Sequence, residues 1–304
     1  MMVEVVVNYK KVMSIHFLLS ILFLFNSCNG TNKTISNSFK ETQKKEIIQT
    51  QISVSNEPKS IVYSEEIISS HLDSIKKTEE VPFETVLDSI ETFNHILWNS
   101  LLQKYVSSQG NVSYKGFKES EKELDDYLEF LSENTPQNSW TKADKLAYWI
   151  NVYNAFTVKL IIDKYPVKSI KDISGPWDIS FITLGNKTYS LNDIEHKILR
   201  KMGDPRIHFG IVCASVSCPK LQNTAFESSK IEKQLNNATK EFLADSSRND
   251  LSQNSIKISK IFKWFSSDFK QNGSLIDFLN TYSEIIISQN AKKSFKDYDW
   301  NLNE

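Results

Sequence analysis

No Gly-rich phosphate loop, no H-E-x-x-H and no C-x-x-C occurs anywhere in these 304 residues. The phosphate cradles, zinc-protease helices and thioredoxin-like pairs that depend on those motifs are therefore excluded. Glycine and proline are scarce, eight and seven residues, which rules out collagen-like and Pro/Gly-rich low-complexity chains. Neither sign of charge predominates, with 36 Lys and Arg against 37 Asp and Glu. No run of like charge is long enough to make a nucleic-acid or anionic-lipid surface, and no nucleic-acid partner is expected. Ser215 and Ser217 lack a G-x-S-x-G frame, which argues against a serine hydrolase. Cysteine is rare too: Cys28, Cys213 and Cys218 are the whole set.

A long apolar run is also missing. The longest, Val12 to Phe25, has fourteen residues, too short to span a bilayer and the right length for a signal-peptide core. Lys10 and Lys11 precede it, and Asn26, Ser27 and Cys28 follow. A small residue before a cysteine just past such a core resembles a bacterial lipoprotein signal, with Phe25 where that motif usually has Leu. A plain secretory signal or a short anchor is the alternative, and Met13 is a second candidate start that would remove both lysines. Residues 1–28 are read as a lipoprotein-type signal peptide with Cys28 as its acylation site. Residues 29–83 are rich in Ser, Thr, Asn, Gln, Lys and Glu, with no sustained period and no aromatic cluster. Such a segment buries too little apolar surface to offset its ordering entropy, and it is read as a disordered tether. The expected location is the cell envelope, exported to the periplasmic side of a bacterial membrane and held there by a lipid anchor.

From 84 to 304 the texture changes to dense, periodic aromatic and aliphatic residues, enough for one domain with a full core. The class expected is α+β: a mostly helical single domain with a buried central helix and a small β-sheet. Helices are read over 83–106 and 120–133, with a turn-containing connector at 107–117. A third helix opens at Thr141 and Asp144, a capping-box-like pair, and stops before Pro166. Gly185-Asn186 between two β-prone runs signals a hairpin. Residues 191–202 read as a helix N-capped by Ser190, with Asp193 three residues on and Gly203 just past its end. RIHFGIVCA, from Arg206, reads as a buried strand. A helix over 228–245, a strand at 255–262 and a last helix at 273–283 complete the expectation.

Several polar residues sit where apolar ones belong. The helix from Thr141 is apolar on nearly every side, which marks it as central. Yet Asn151 and Asn154 share a face of it, and Thr157 extends their line. Buried carboxamides must be hydrogen-bonded, so either they tie the helix to neighbouring backbone or they line a cleft. Glu195 falls inside the Leu191, Ile194, Ile198 stripe of the next helix, and His196 lies just outside it. A carboxylate facing a core needs a partner: Arg206, His208 or an amide of the long helix. It is then either a buried ion pair or a carboxyl whose pKa is raised for acid–base work.

The two downstream cysteines leave three chemical readings open. If 206–213 is a strand, His208 and Cys213 face opposite ways and form no dyad. Cys213 then points to the core, and Cys218 lies in a loop before Pro219, where a reactive thiol is exposed, with His208 or His196 as its base. The readings are a Cys213–Cys218 disulfide suited to an oxidising compartment, thiol catalysis, or zinc held by both sulfurs and histidines. C-x4-C is a poor metal spacing, and no metal or cofactor is expected.

At these residues the chain becomes recognisable. KLAYWINVYNAFTVKLII, SLNDIEHKILR and DPRIHFGIVCASVSCPKL, in this order, resemble the family called domain of unknown function 547, strongly over 140–245. The family's motif positions fall on Trp149, Asn151, Tyr153, Asn154, Glu195, His196, Arg206, His208, Cys213, Ser215, Cys218 and Pro219. The resemblance implies a domain found in bacterial secreted proteins and lipoproteins, and in plant and animal proteins joined to other modules. It implies no activity. Two functions are therefore expected from the residues. One is a polar pocket of Asn151, Asn154, Glu195, His196 and His208 that binds an unknown ligand or protein partner. The other is a hydrolase or acyl-transfer enzyme that uses Cys218 or Cys213 with a histidine oriented by Glu195.

Overall fold

The computed structural model describes residues 93–304, and the sites expected in 1–92, Cys28 included, lie outside them. The first four helices are α1 (Ile96–Tyr105), α2 (Tyr114–Glu119), α3 (Glu121–Glu133) and α4 (Lys142–Lys164). α2 corrects the reading of 107–117 as connector. Ser113 caps it by accepting the Gly116 N–H, a local signal that its short length hides.

α4 is the centre of the molecule. Thr141 and Asp144 close its capping box as expected, the Thr141 side chain accepting the Asp144 N–H and the Asp144 carboxylate accepting the Thr141 N–H. From Leu146 to Ile162 every residue except Lys159 is buried. Lys159 keeps its charge by sending its ammonium to Glu121, Asp125 and Asp163, at 2.7, 2.9 and 3.0 Å. α3 packs on this side, and α1 packs on α3, where Trp98 stacks on Tyr127 at 5.8 Å between ring centroids.

The hairpin appears where Gly185-Asn186 placed it, joining β1 (Ile182–Leu184) to β2 (Lys187–Tyr189), with Gly185 at φ 58°. Short helical turns α5 (Ile207–Gly210) and α7 (Ile261–Trp264) flank α6 (Ile231–Ala244), and α8 (Leu275–Tyr282) closes the helical set. β4 (Ser255–Ile258) pairs antiparallel with β3 (Asp250–Leu251) and parallel with β5 (Lys292–Phe295). In β4 the alternation sends Ile256 and Ile258 inward. The domain is thus mixed α and β with helices dominant. Among the described residues no helix is long and apolar enough to cross a membrane.

Two hydrophobic cores result. One surrounds α4; the other, built from Phe209, Phe242, Phe262, Phe269 and Leu279 among others, lies beneath the three-stranded sheet. The chain's last residues tie onto the first core: Val216 and Ser217 donate to the Asn301 and Asp299 carbonyls, and Leu302 N–H bonds to Lys168. Tyr298 and Trp300 are thereby laid against the 213–218 loop.

Candidate functional site

The segment 191–202 is not a regular α-helix. From Asp193 to Leu199 it is a π-helix, and the Arg200 N–H reaches back five residues to the Glu195 carbonyl. Ser190 and Asp193 cap its start and Gly203, at φ 72°, ends it, so the boundaries read from sequence hold while the winding between them does not. Such wide turns are uncommon and concentrate at functional sites. Here the turn carries Glu195 and His196, and Arg200 follows directly at its end.

The expected strand over Arg206–Cys213 is absent. Residues 207–210 form a helical turn, α5, whose four residues are all buried, and the chain becomes extended only at Ile211. The continuous apolar run made the two indistinguishable by pattern. What keeps this turn compact is Asn154, whose Nδ2 donates to the Gly210 carbonyl at 2.8 Å and whose Oδ1 accepts the Val212 N–H at 3.0 Å. With the strand goes the parity argument that kept His208 and Cys213 on opposite faces.

His208 is 3 % exposed, with Phe265 stacked on it at 4.0 Å and Phe269 at 5.4 Å. Burial between these rings lowers its pKa and keeps it neutral. Its Nε2 lies 2.8 Å from Asp268 Oδ2. Asp268 also takes a bidentate pair from Arg200, Nε to Oδ2 at 2.6 Å and Nη2 to Oδ1 at 2.7 Å. Burial alone would raise the Asp268 carboxyl; the Arg200 and His208 hydrogen bonds outweigh it and hold the group well below the usual carboxylate range. An ionised carboxylate only accepts, so the His208 proton sits on Nε2 and the Nδ1 lone pair is free. By the same logic Arg200 Nη1 donates to His196 Nδ1 at 2.8 Å, leaving the His196 proton on Nε2.

The free Nδ1 of His208 faces Glu195, 3.9 Å from its Oε1. Glu195 Oε2 accepts from the Tyr153 hydroxyl at 3.3 Å. Burial raises the Glu195 carboxyl to about 7, against the lowering effect of the Tyr153 bond. Its partners are therefore Tyr153 and His208. Arg206, another candidate, turns away to Asp204, Asn236 and Glu232.

The cysteines reverse the accessibility that their sequence positions suggested. Cys218 is buried, at 3 % exposure, and Cys213 is partly exposed. The loop folds back through Ala214, which takes a left-handed φ of 57°, an unusual conformation for a residue with a Cβ. Asn303 N–H bonds to the Ala214 carbonyl and Ser215 pairs with Leu302, which fixes the bend. Both thiols are free, and the Cys213 N–H donates to Cys218 Sγ. Cys213 Sγ lies 3.1 Å from Ser215 Oγ and 3.2 Å from the Tyr298 hydroxyl. Hydrogen bonds from Cys218, Ser215 and Tyr298 lower the Cys213 thiol against the effect of burial, whereas burial pushes the Cys218 thiol up.

These groups share one cavity of about 240 Å³ at the junction of the two cores. Glu195, His196, His208, Cys213, Cys218 and Tyr153 line it on the polar side, and Trp177, Trp264, Phe265, Tyr298 and Trp300 form an aromatic wall. Trp300 stacks on Trp264 at 5.7 Å and meets Trp177 edge-on at 5.8 Å. No Lys or Arg is among the residues that line this cavity, and Arg200, bonded to the lining His196, is committed to Asp268.

Five residues expected in the pocket, Trp149, Asn151, Asn154, Arg206 and Ser215, do not line it. Asn151 is fully buried and occupied at both ends by Phe226, donating to its carbonyl at 2.7 Å and accepting its N–H at 3.0 Å. Asn154 is committed to Gly210 and Val212, as above. Trp149 packs edge-on against Tyr148 and Tyr189, and Arg206 serves the ion pairs already named. Ser215 contributes through its bond to Cys213. Sequence reasoning missed Arg200, Asp268, Tyr298 and the aromatic wall; Asp268 and Tyr298 lie 60 and 85 residues from the groups they touch. Among the described residues, no group of three or more His, Cys, Asp and Glu side chains is arranged to hold a metal ion.

The arrangement is a mostly helical α+β domain that places the Cys213 thiol and the Glu195 carboxyl in one cavity with an aromatic wall. Residues 137–243 match the family described as "Protein of unknown function, DUF547", and this segment belongs to it. The match runs from the approach to α4 through most of α6. It includes Glu195, His208 and both cysteines, and it ends before Asp268 and Tyr298. No curated protein and no solved structure matches the chain.

Proposed function

We propose that this is an exported, lipid-anchored envelope protein whose globular domain is a cysteine-dependent acyl-transfer enzyme or hydrolase. The observation that carries the enzymatic part is Cys213: a partly exposed thiol, hydrogen-bonded by Tyr298 and Ser215, opening into a cavity that Glu195 also lines. The Cys213 thiolate attacks an acyl carbonyl, and the leaving group departs with a proton from the Glu195 carboxylic acid. The Glu195 carboxylate then takes a proton from the water that cleaves the thioester, which restores both groups. A carboxyl held near 7 serves in both directions at neutral pH. His208, Asp268 and Arg200 are positioning residues behind Glu195. The cavity is smaller than pockets for drug-sized molecules and suits an uncharged group of side-chain size laid against Trp264 and Trp300. The N-terminal pattern ending at Cys28 supports the anchor and the envelope location, with the tether giving the domain reach from the membrane.

A neutral activated ester, p-nitrophenyl acetate, tests the chemistry. Cys213 is expected to become acetylated, and Glu195→Gln to accumulate the thioester because water attack loses its base. Acetylation that persists unchanged in Cys213→Ser would overturn the reading. A second reading, a pocket that binds a ligand or protein partner without chemistry, is favoured by one observation: Cys213 is hydrogen-bonded by Ser215 and Tyr298 and not by a histidine. Absence of any acyl-enzyme, together with saturable binding of small neutral aromatic compounds, would select it.

A further inference from the structure

The two thiols are unequal members of one arrangement. Cys218 Sγ lies 2.8 Å from the backbone nitrogen of Cys213, and the two thiols are close enough to shift each other's acidity. Both sulfurs border the cavity, but Cys213 is partly exposed whereas Cys218 is buried, at 3 % exposure, beside buried Pro219. The four residues between them are held in place, because Ala214, Val216 and Ser217 bond to Asn303, Asn301 and Asp299, and Ser215 pairs with Leu302. Arg248 adds a clamp from outside, donating to the Cys218 carbonyl at 2.9 Å and the Val216 carbonyl at 2.7 Å. An outward thiol backed by a second, shielded one is the layout that thiol–disulfide exchange requires, the first to meet a disulfide and the second to resolve it.

We propose that Cys213 and Cys218 form a reversible dithiol–disulfide pair that exchanges with an external disulfide through the cavity, with Cys213 as the attacking thiol and Cys218 as the resolving one. In the first step the Cys213 thiolate attacks one sulfur of RSSR; the S–S bond breaks and RS⁻ leaves, taking a proton from solvent. The product is a Cys213–S–SR mixed disulfide. Cys218 then attacks the Cys213 sulfur, breaking the mixed S–S bond, and its proton passes to the departing second RS⁻ to give RSH. Two protein thiols have been oxidised to one disulfide and RSSR has been reduced to two RSH. Tyr298, bonded to Cys213 and kept protonated by burial and by the neighbouring sulfurs, stabilises the thiolate in the first step. Oxidation removes the nucleophile proposed above, so exchange also sets whether the acyl chemistry can run. The exchange itself stands on the cysteine geometry and does not depend on that chemistry.

The test uses the full-length chain carrying Cys28→Ser, fully reduced, exposed to oxidised glutathione, quenched with iodoacetamide and read by intact mass and peptide mapping. The expected product is a Cys213–Cys218 disulfide with only transient glutathionylation. Adding Cys218→Ser is expected to leave a stable glutathione adduct on Cys213, and adding Cys213→Ser to leave Cys218 unmodified over the same time. A lasting glutathione adduct in the parent chain, or no reaction at all, would overturn the proposal. Acetylation of the reduced protein is read separately. Exchange without acetylation removes the enzymatic reading alone, and acetylation without exchange removes only this one.

Discussion

His208 Nε2 lies 2.8 Å from Asp268 Oδ2, a bond that joins a helical turn inside the family match to a short helical segment 60 residues downstream. Through it the bidentate Arg200–Asp268 pair sets the His208 tautomer, and the free Nδ1 is aimed at Glu195. Asp268→Asn removes the acceptor charge and leaves Arg200 half-buried without its partner. The expected loss is on the order of 3 kcal/mol, read as a shift in denaturant midpoint. The Asp268 pKa is depressed in the folded state, so its contribution is present above the unfolded carboxylate value and disappears as pH falls below about 4. The variant should therefore lose part of the acid limb of the stability profile.

Glu195 has the opposite sign. Its folded pKa, about 7, is above its ordinary 4.5, so the folded state holds a proton that the unfolded state has released across that window. Stability from this group is full below about pH 4.5 and falls as pH rises to about 7, by up to about 3 kcal/mol. Glu195→Gln should flatten that decline and be the more stable protein at pH 8. Denaturation of both proteins from pH 4 to 8 checks it, and parallel profiles would count against a buried, neutral Glu195.

Asn154→Ala should be among the most destabilising substitutions in α4. It leaves the Gly210 carbonyl and the Val212 N–H buried without partners. About 1–3 kcal/mol is expected for each, measured by thermal or chemical unfolding. Because those groups hold the turn ahead of Cys213, the surviving folded fraction should also label faster at Cys218.

Tyr298→Phe separates electrostatics from packing. The ring and its contacts with Trp264 and Trp300 remain, while the hydroxyl that bonds Cys213 is lost. Global stability should change by about 1 kcal/mol or less. The pH midpoint for Cys213 alkylation should rise.

Much of this architecture is legible in the sequence because its signals are local. The Thr141–Asp144 box, the Gly185-Asn186 turn and the Ser190 and Gly203 boundaries need only a few neighbouring residues to act. The misplaced Asn151, Asn154 and Glu195 were equally visible, since buried polar groups break an apolar pattern. What was not legible is where their partners lie. Both asparagines are taken up by backbone 75 and 56 residues away, which no spacing announces. The 206–213 run misled because a buried strand and a buried helical turn have the same apolar signature, and with it went the expected exposure of Cys218. The π-helix was hidden for a similar reason: its capping residues are those of an α-helix, and only the stretched Arg200 bond reveals the difference.

The most direct test of the account is the pH dependence of alkylation at Cys213 and Cys218 in the reduced, folded chain, resolved by peptide mass. The account predicts that Cys213 labels first, with a midpoint below the ordinary thiol value, and that Cys218 labels only on unfolding. Preferential labelling of Cys218, or a Cys213 midpoint at or above that of a free thiol, would contradict it.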